Sequence, residues 1–192
     1  MAIDLKTNAA GKGSPDAPEL VRMAIAAGSD SEASIGFLKR AIALDDALAE
    51  PHYLLGAEYA GKGLYDLAVA EMEAALSRKP ELAVARFQLG LLFLTLARVQ
   101  DAASTWGLLD VLQPDHPLYL FKTGLIHMIR EDFGQATSFL REGIARNTEN
   151  PALNRDMQLV IDRIALARAQ AAGAADPGAD ARHVLVSSYS KH

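Results

Sequence analysis

Apolar and polar positions alternate along most of the chain with the spacing of amphipathic helices, and the arrangement repeats every thirty-four residues. Three glycines mark the repeat: Gly56, Gly90 and Gly124. Each of them is followed three residues later by a large side chain. An alanine comes twelve residues after each glycine, and a large apolar residue four positions further, giving Ala68 and Met72, Ala102 and Trp106, and Ala136 and Leu140. A period of this length predicts a stack of two-helix units, in which the small residues let paired helices approach closely.

Four units of thirty-four residues fit one register, and each is predicted to form two antiparallel helices joined by a short turn. The units cover about residues 15–48, 49–82, 83–116 and 117–150. Pro51, Pro117 and Pro151 fall where a first helix would begin, a position where the missing N–H costs nothing. In the first unit, Ser29 and Glu32 form a capping-box pattern that predicts the start of the second helix.

Beyond the fourth unit, one longer helix is predicted over residues 151–170. Its apolar residues form a single stripe: Leu153, Met157, Val160, Ile161 and Ile164. A helix that caps the open end of the stack is the favoured interpretation, and a partner-binding helix is the alternative because Leu159 and Leu166 interrupt the polar side. Residues 1–16 are expected to be disordered, and residues 171–192 to form a flexible linker and C-terminal tail.

The pattern resembles that of the tetratricopeptide repeat (TPR) family, whose unit carries W-x2-L-G-x2-Y, then A-x3-F and P. The second unit matches it best, with His52 at the tryptophan position followed by Leu55, Gly56, Tyr59, Tyr65, Ala68, Met72, Ala75, Leu76 and Pro80. The first unit departs from it, since Arg22 replaces the glycine and Ser34 the alanine. The resemblance covers about residues 17–170. It implies an all-α, right-handed superhelical solenoid of TPR repeats with a C-terminal capping helix.

Composition argues against several classes of function. A net charge of −5 disfavours nucleic acid and anionic membranes as main partners, and the absence of cysteine excludes zinc–thiolate sites and cysteine nucleophiles. The longest apolar run, residues 89–97, is far shorter than the roughly 20 residues that span a bilayer. The N-terminus lacks the apolar core of a secretory signal. A soluble, cytoplasmic protein without membrane insertion is therefore expected.

Recognisable catalytic constellations are absent from the sequence. No Ser/His/Asp arrangement, phosphate-binding glycine loop or His-x-x-x-His pair occurs. His52 and His127 occupy repeat positions that normally pack, so core histidines are favoured over functional ones. We expect no enzyme activity, no cofactor and no metal site.

The resemblance implies a concave surface lined by the first helix of each unit, and this surface is the candidate site. Three positions per first helix share a stripe, and two polar residues lie beside it: Tyr53, Ala57 and Ala60; Phe87, Leu91 and Leu94; Phe121, Leu125 and Met128; with Gln88 and Lys122. Because residues 84–96 are apolar nearly all round, something should cover them. We predict a groove for an extended, largely apolar peptide. The alternative is an ordinary thicker core, in which neighbouring helices cover the aromatics.

These features predict a non-enzymatic interaction module, an adaptor or small chaperone that binds a peptide in its concave groove. The alternative is a structural or assembly subunit that self-associates or docks onto a larger bacterial complex, for example one of secretion. The segment 183–189 alternates apolar residues as an extended strand does, so it is a candidate ligand for the groove of the same chain or of a homo-oligomer partner. A tail that binds nothing is equally compatible with the sequence.

Overall fold

The computed structural model describes residues 14–173, and within them every regular element is helical. The helices are α1 Ala17–Ala26, α2 Ser31–Leu44, α3 Ala49–Gly61, α4 Tyr65–Arg78, α5 Ala83–Thr95, α6 Val99–Gly107, α7 Pro117–Ile129, α8 Phe133–Arg146 and α9 Pro151–Gly173. A short 3-10 helix, Leu108–Val111, follows α6. The predicted all-α fold class is confirmed. The predicted N-terminal segment falls largely, and the tail segment 183–189 entirely, outside the described residues.

The period of the sequence is also the period of the backbone. Helices α3, α5, α7 and α9 begin thirty-four residues apart, and so do α2, α4, α6 and α8. The two helices of each unit pack together, and α2, α4 and α8 also pack against the first helix that follows them. The chain is therefore a stack of helix–turn–helix units.

The repeated glycines lie where paired helices touch. A Cβ added to Gly56 would lie 2.9 Å from Met72 Cγ, and one added to Gly124 would lie 2.8 Å from Leu140 Cγ. At Gly90 the space is tighter still, since an added Cβ would lie 2.1 Å from Nε1 of Trp106. This geometry confirms that the glycines permit close helix approach, with the large residue sixteen positions later filling the space around the contact.

The turns within units two, three and four also repeat in backbone conformation. Gly63, Ala97 and Glu131, again thirty-four residues apart, all have positive φ angles of 73°, 59° and 62°. Only the glycine adopts this left-handed conformation without strain. The capping box predicted from Ser29 and Glu32 is wrong. Asp30 caps α2 by accepting a hydrogen bond from the Ala33 amide at 3.1 Å, and the third helical position is Ala33 rather than Glu32.

The third unit departs from the others in its second helix. Helices α2, α4 and α8 each have fourteen residues, whereas α6 has nine and gives way after Gly107 to the 3-10 helix. Leu109 is buried and Asp110 pairs with Lys122 of α7, so this tighter segment is fastened to the fourth unit.

Helix α9 closes the stack by packing on α8. Four residues of the predicted apolar stripe are buried: Leu153, Met157, Ile161 and Ile164. Leu159 and Leu166 are exposed on the other side of the helix, at 52% and 59%. Among the helices of residues 14–173, none has the length and apolar character needed to cross a membrane.

Candidate functional site

Phe87 and Phe121 lie inside the protein rather than on an open concave surface. Both side chains are completely buried. Their ring centroids are 6.1 Å apart, and Phe87 also stacks on Trp106 at 5.9 Å. Phe121 presses against Gly143 of α8, where an added Cβ would lie 2.5 Å from its ring. The expectation that these aromatics are uncovered is wrong, and the alternative of a thicker core describes them correctly.

The same correction applies to four further residues of the predicted groove. Leu94, Leu125 and Met128 are buried. Lys122 is 5% exposed, and its ammonium group pairs with Asp110 and lies 4.4 Å from the centroid of the Tyr119 ring. Because neighbouring helices already cover these side chains, a peptide could contact them only if the third and fourth units opened.

The N-terminal part of the predicted groove remains accessible. Tyr53, Ala57 and Ala60 of α3, with Gln88 and Leu91 of α5, are only partly buried. Gln88 Nε2 donates a weak hydrogen bond to the Tyr53 hydroxyl at 3.4 Å, which links the two helices. Burial raises the pKa of the Tyr53 hydroxyl above its ordinary value. Whether these residues bind a peptide stays a prediction.

An open cleft of about 550 Å³ lies next to this surface, between the α1–α2 turn and α3. We call it the N-terminal cleft, and its lining residues are Ala24, Ile25, Gly28, Ser29, Ser31, Ser34, Leu54, Ala57, Glu58, Gly61 and Lys62. Ile25 is 59% exposed although it is a large aliphatic residue. A Cβ added to Gly28 or Gly61 would meet no atom within 4 Å, which shows how open the cleft is at these two positions. Ala57 belongs both to this cleft and to the predicted stripe.

Polar side chains occupy one side of the cleft. Ser31 Oγ donates a hydrogen bond of 2.6 Å to Oε2 of Glu58. Lys62, one helical turn after Glu58, forms its ion pair with Glu32 of α2 instead. The pattern of regular repeats does not single out Ile25, Ser31, Glu58 or Lys62 as site residues. The one sequence signal near this cleft is Arg22, which stands at the glycine position and shows that the first unit departs from the repeat.

His52 and His127 belong to the structural framework. His52 is 5% exposed, as predicted for a core position, and its Nδ1 lies 2.6 Å from Glu71 Oε2. Its Nε2 lies 3.3 Å from Asp46, and the hydrogen bond from Arg78 lowers the pKa of that carboxyl group. His127 stacks on Phe139. No group of three or more His, Asp or Glu side chains in residues 14–173 is arranged to hold a metal ion.

Comparison with known proteins gives similarity of fold only. No protein-family model matches the sequence. No curated protein matches it significantly. Among solved structures, PilF of Pseudomonas aeruginosa superposes with a TM-score of 0.61 at 16% identity over 92% of this chain and 77% of PilF.

Structures of MamA are also similar. MamA residues 41 to the end from Desulfovibrio magneticus RS-1 give a TM-score of 0.59 at 15% identity, covering 82% of this chain and 88% of the other. A second MamA structure gives 0.57 at 17%, covering 68% and 77%. Together with the repeat of thirty-four residues and its glycine contacts, these similarities give the chain the fold of a tetratricopeptide-repeat solenoid.

Proposed function

We propose that the chain is a non-enzymatic interaction module, an adaptor or small chaperone, that binds a segment of a partner protein in the N-terminal cleft. The observation that carries the proposal is the contrast between the two halves of the predicted surface. Phe87 and Phe121 are sealed inside the core, whereas Ile25, Leu54 and Ala57 line an open cleft. Accessible apolar walls in a concave site are typical of binding surfaces.

The size of the cleft suits a short peptide segment. A volume of about 550 Å³ lies within the range of roughly 300–1,000 Å³ that small-ligand pockets occupy, so the cleft holds a few side chains. Tyr53 and Ala60 lie one turn to either side of Ala57 on α3 and remain partly accessible. An extended partner could therefore continue from the cleft along this helix.

A matched pair of glycine substitutions tests the proposal. Gly61 lines the cleft and Gly36 lies on the exposed surface of α2, and an added Cβ meets nothing within 4 Å at either position. Gly61→Leu fills the cleft, and Gly36→Leu adds the same atoms elsewhere. Peptides are first recovered from a random twelve-residue display library on the wild-type chain. We expect Gly61→Leu to weaken their binding at least tenfold and Gly36→Leu to leave it unchanged. Equal binding to all three proteins would refute the proposal.

A second candidate is an assembly subunit that self-associates, and exposed Leu159 and Leu166 on the outer side of α9 favour it. It demands an oligomer whose mass rises with concentration. Light scattering of the wild type and of the double variant Leu159→Gln/Leu166→Gln tests this, because a mass that is constant at the monomer value for both would exclude it. The segment 183–189 stays a proposed ligand and is tested by deleting residues 174–192.

A further inference from the structure

Glu58 lines the N-terminal cleft and has no ion-pair partner among the described residues. Glu58 is partly buried, and its carboxylate accepts a hydrogen bond from the neutral Ser31 hydroxyl. No lysine, arginine or histidine of residues 14–173 lies within ion-pair distance of it. The nearest cation along the helix, Lys62, is turned toward the exposed Glu32. An ion pair with a partly buried carboxylate is stronger than one at the surface, because water and salt screen its charges less.

The wider charge distribution has the same sign. Residues 14–81 carry twelve Asp or Glu against six Lys or Arg, whereas residues 82–173 carry nine of each. The first two units, which form the cleft, are therefore acidic, and the rest of the described chain is balanced. Such a field attracts positively charged segments and raises their rate of encounter.

We infer that the N-terminal cleft recognises a cationic peptide segment, in which a Lys or Arg side chain pairs with Glu58 while an adjacent apolar side chain rests on Ile25, Leu54 and Ala57. This inference rests on the proposed function and adds the chemistry of the partner. The apolar walls supply contact area, and the carboxylate selects the sign of the charge. The hydrogen bond from Ser31 holds the carboxylate in place, so little side-chain entropy is lost when the pair forms.

The library selection tests the charge and the site separately. Peptides recovered on the wild type are counter-screened against Gly61→Leu, and only those that lose binding are kept. We expect these peptides to be enriched in Lys and Arg over Asp and Glu, next to an apolar residue. Kept peptides without such enrichment would overturn the inference about charge and leave the proposed function standing. If no recovered peptide depended on Gly61, both would be overturned.

Two substitutions with opposite expected effects complete the test. Glu58→Gln keeps an acceptor for Ser31 but removes the charge, so binding of the kept peptides should weaken about tenfold, a value between exposed and fully buried ion pairs. Lys62→Gln removes a cation that lines the cleft and repels a positively charged peptide, so binding should strengthen about two- to threefold. Glu73→Gln, at an exposed position of α4 outside the cleft, is the control of equal charge change and should have no effect. Equal effects of Glu58→Gln and Glu73→Gln would overturn the inference, since only general charge would then matter.

Discussion

Substitution of Gly90 by alanine tests the packing logic of the repeat at its tightest point. The added Cβ would lie 2.1 Å from Trp106 Nε1, more than an ångström closer than ordinary contact. Trp106 cannot easily move away, because it is completely buried, stacks on Phe87 and donates a hydrogen bond of 3.0 Å from Nε1 to the Phe87 carbonyl oxygen. The methyl group therefore displaces the largest side chain in the core.

The expected cost follows from three contributions. Overpacking a filled core costs about 1–3 kcal/mol. Loss of the buried hydrogen bond costs about 1 kcal/mol more. Alanine gains about 1 kcal/mol over glycine within a helix, which offsets part of this. We expect Gly90→Ala to lower the free energy of unfolding by about 2 kcal/mol, equivalent to a fall in Tm of about 4–8 °C.

Urea unfolding followed by circular dichroism measures this value in a double-mutant cycle. Trp106→Leu places at this position the residue type found beside Gly124 in the fourth unit. We expect Gly90→Ala to cost at least 1 kcal/mol less in the Trp106→Leu background than in the wild type. Gly36→Ala, where the Cβ meets nothing within 4 Å, should be neutral or stabilising by up to about 1 kcal/mol. An equal cost in both backgrounds would show that the clash with the indole ring does not cause the destabilisation.

Two further substitutions probe the turns and the third unit. Ala97→Gly should raise the free energy of unfolding by about 0.5–1 kcal/mol, because it relieves a left-handed backbone at φ 59°, and thermal melts that show destabilisation would contradict this. Asp110→Ala should cost about 1–3 kcal/mol, because it leaves the buried ammonium group of Lys122 without its carboxylate. Adding Lys122→Met should restore most of that loss in urea unfolding, whereas a double variant no better than the single would show that the ion pair is not responsible.

The helices of the fold were predictable because their signals are local and repeated. Small residues recur every thirty-four residues at the positions of Gly56 and Ala68. Because these residues have little or no side chain, they predict close contact between the two helices of a unit. The sequence predicts that the aromatic residues lie on one stripe of the first helices, but it does not predict whether that stripe is exposed or buried. Whether Phe121 is covered depends on the space that Gly143 leaves on another helix, and periodicity along one helix carries no information about that space.

The cleft escaped prediction for a related reason. Part of its lining comes from the first unit, which departs from the repeat, and of all its lining residues only Ala57 belongs to the predicted stripe. Glu58 is one of many carboxylates in the sequence, and it becomes distinctive only because Lys62 turns away from it toward Glu32. Likewise, the left-handed conformation at Glu131 is set by the repeated turn rather than by the residue itself.

Binding of partners at the N-terminal cleft can be observed by mapping amide chemical shifts while a recovered library peptide is added to the isotope-labelled chain. We expect the largest changes in the turn between α1 and α2 and along α3, with Glu58 and Gly61 among them. Changes concentrated in α5 to α9, with the N-terminal cleft unaffected, would contradict this expectation.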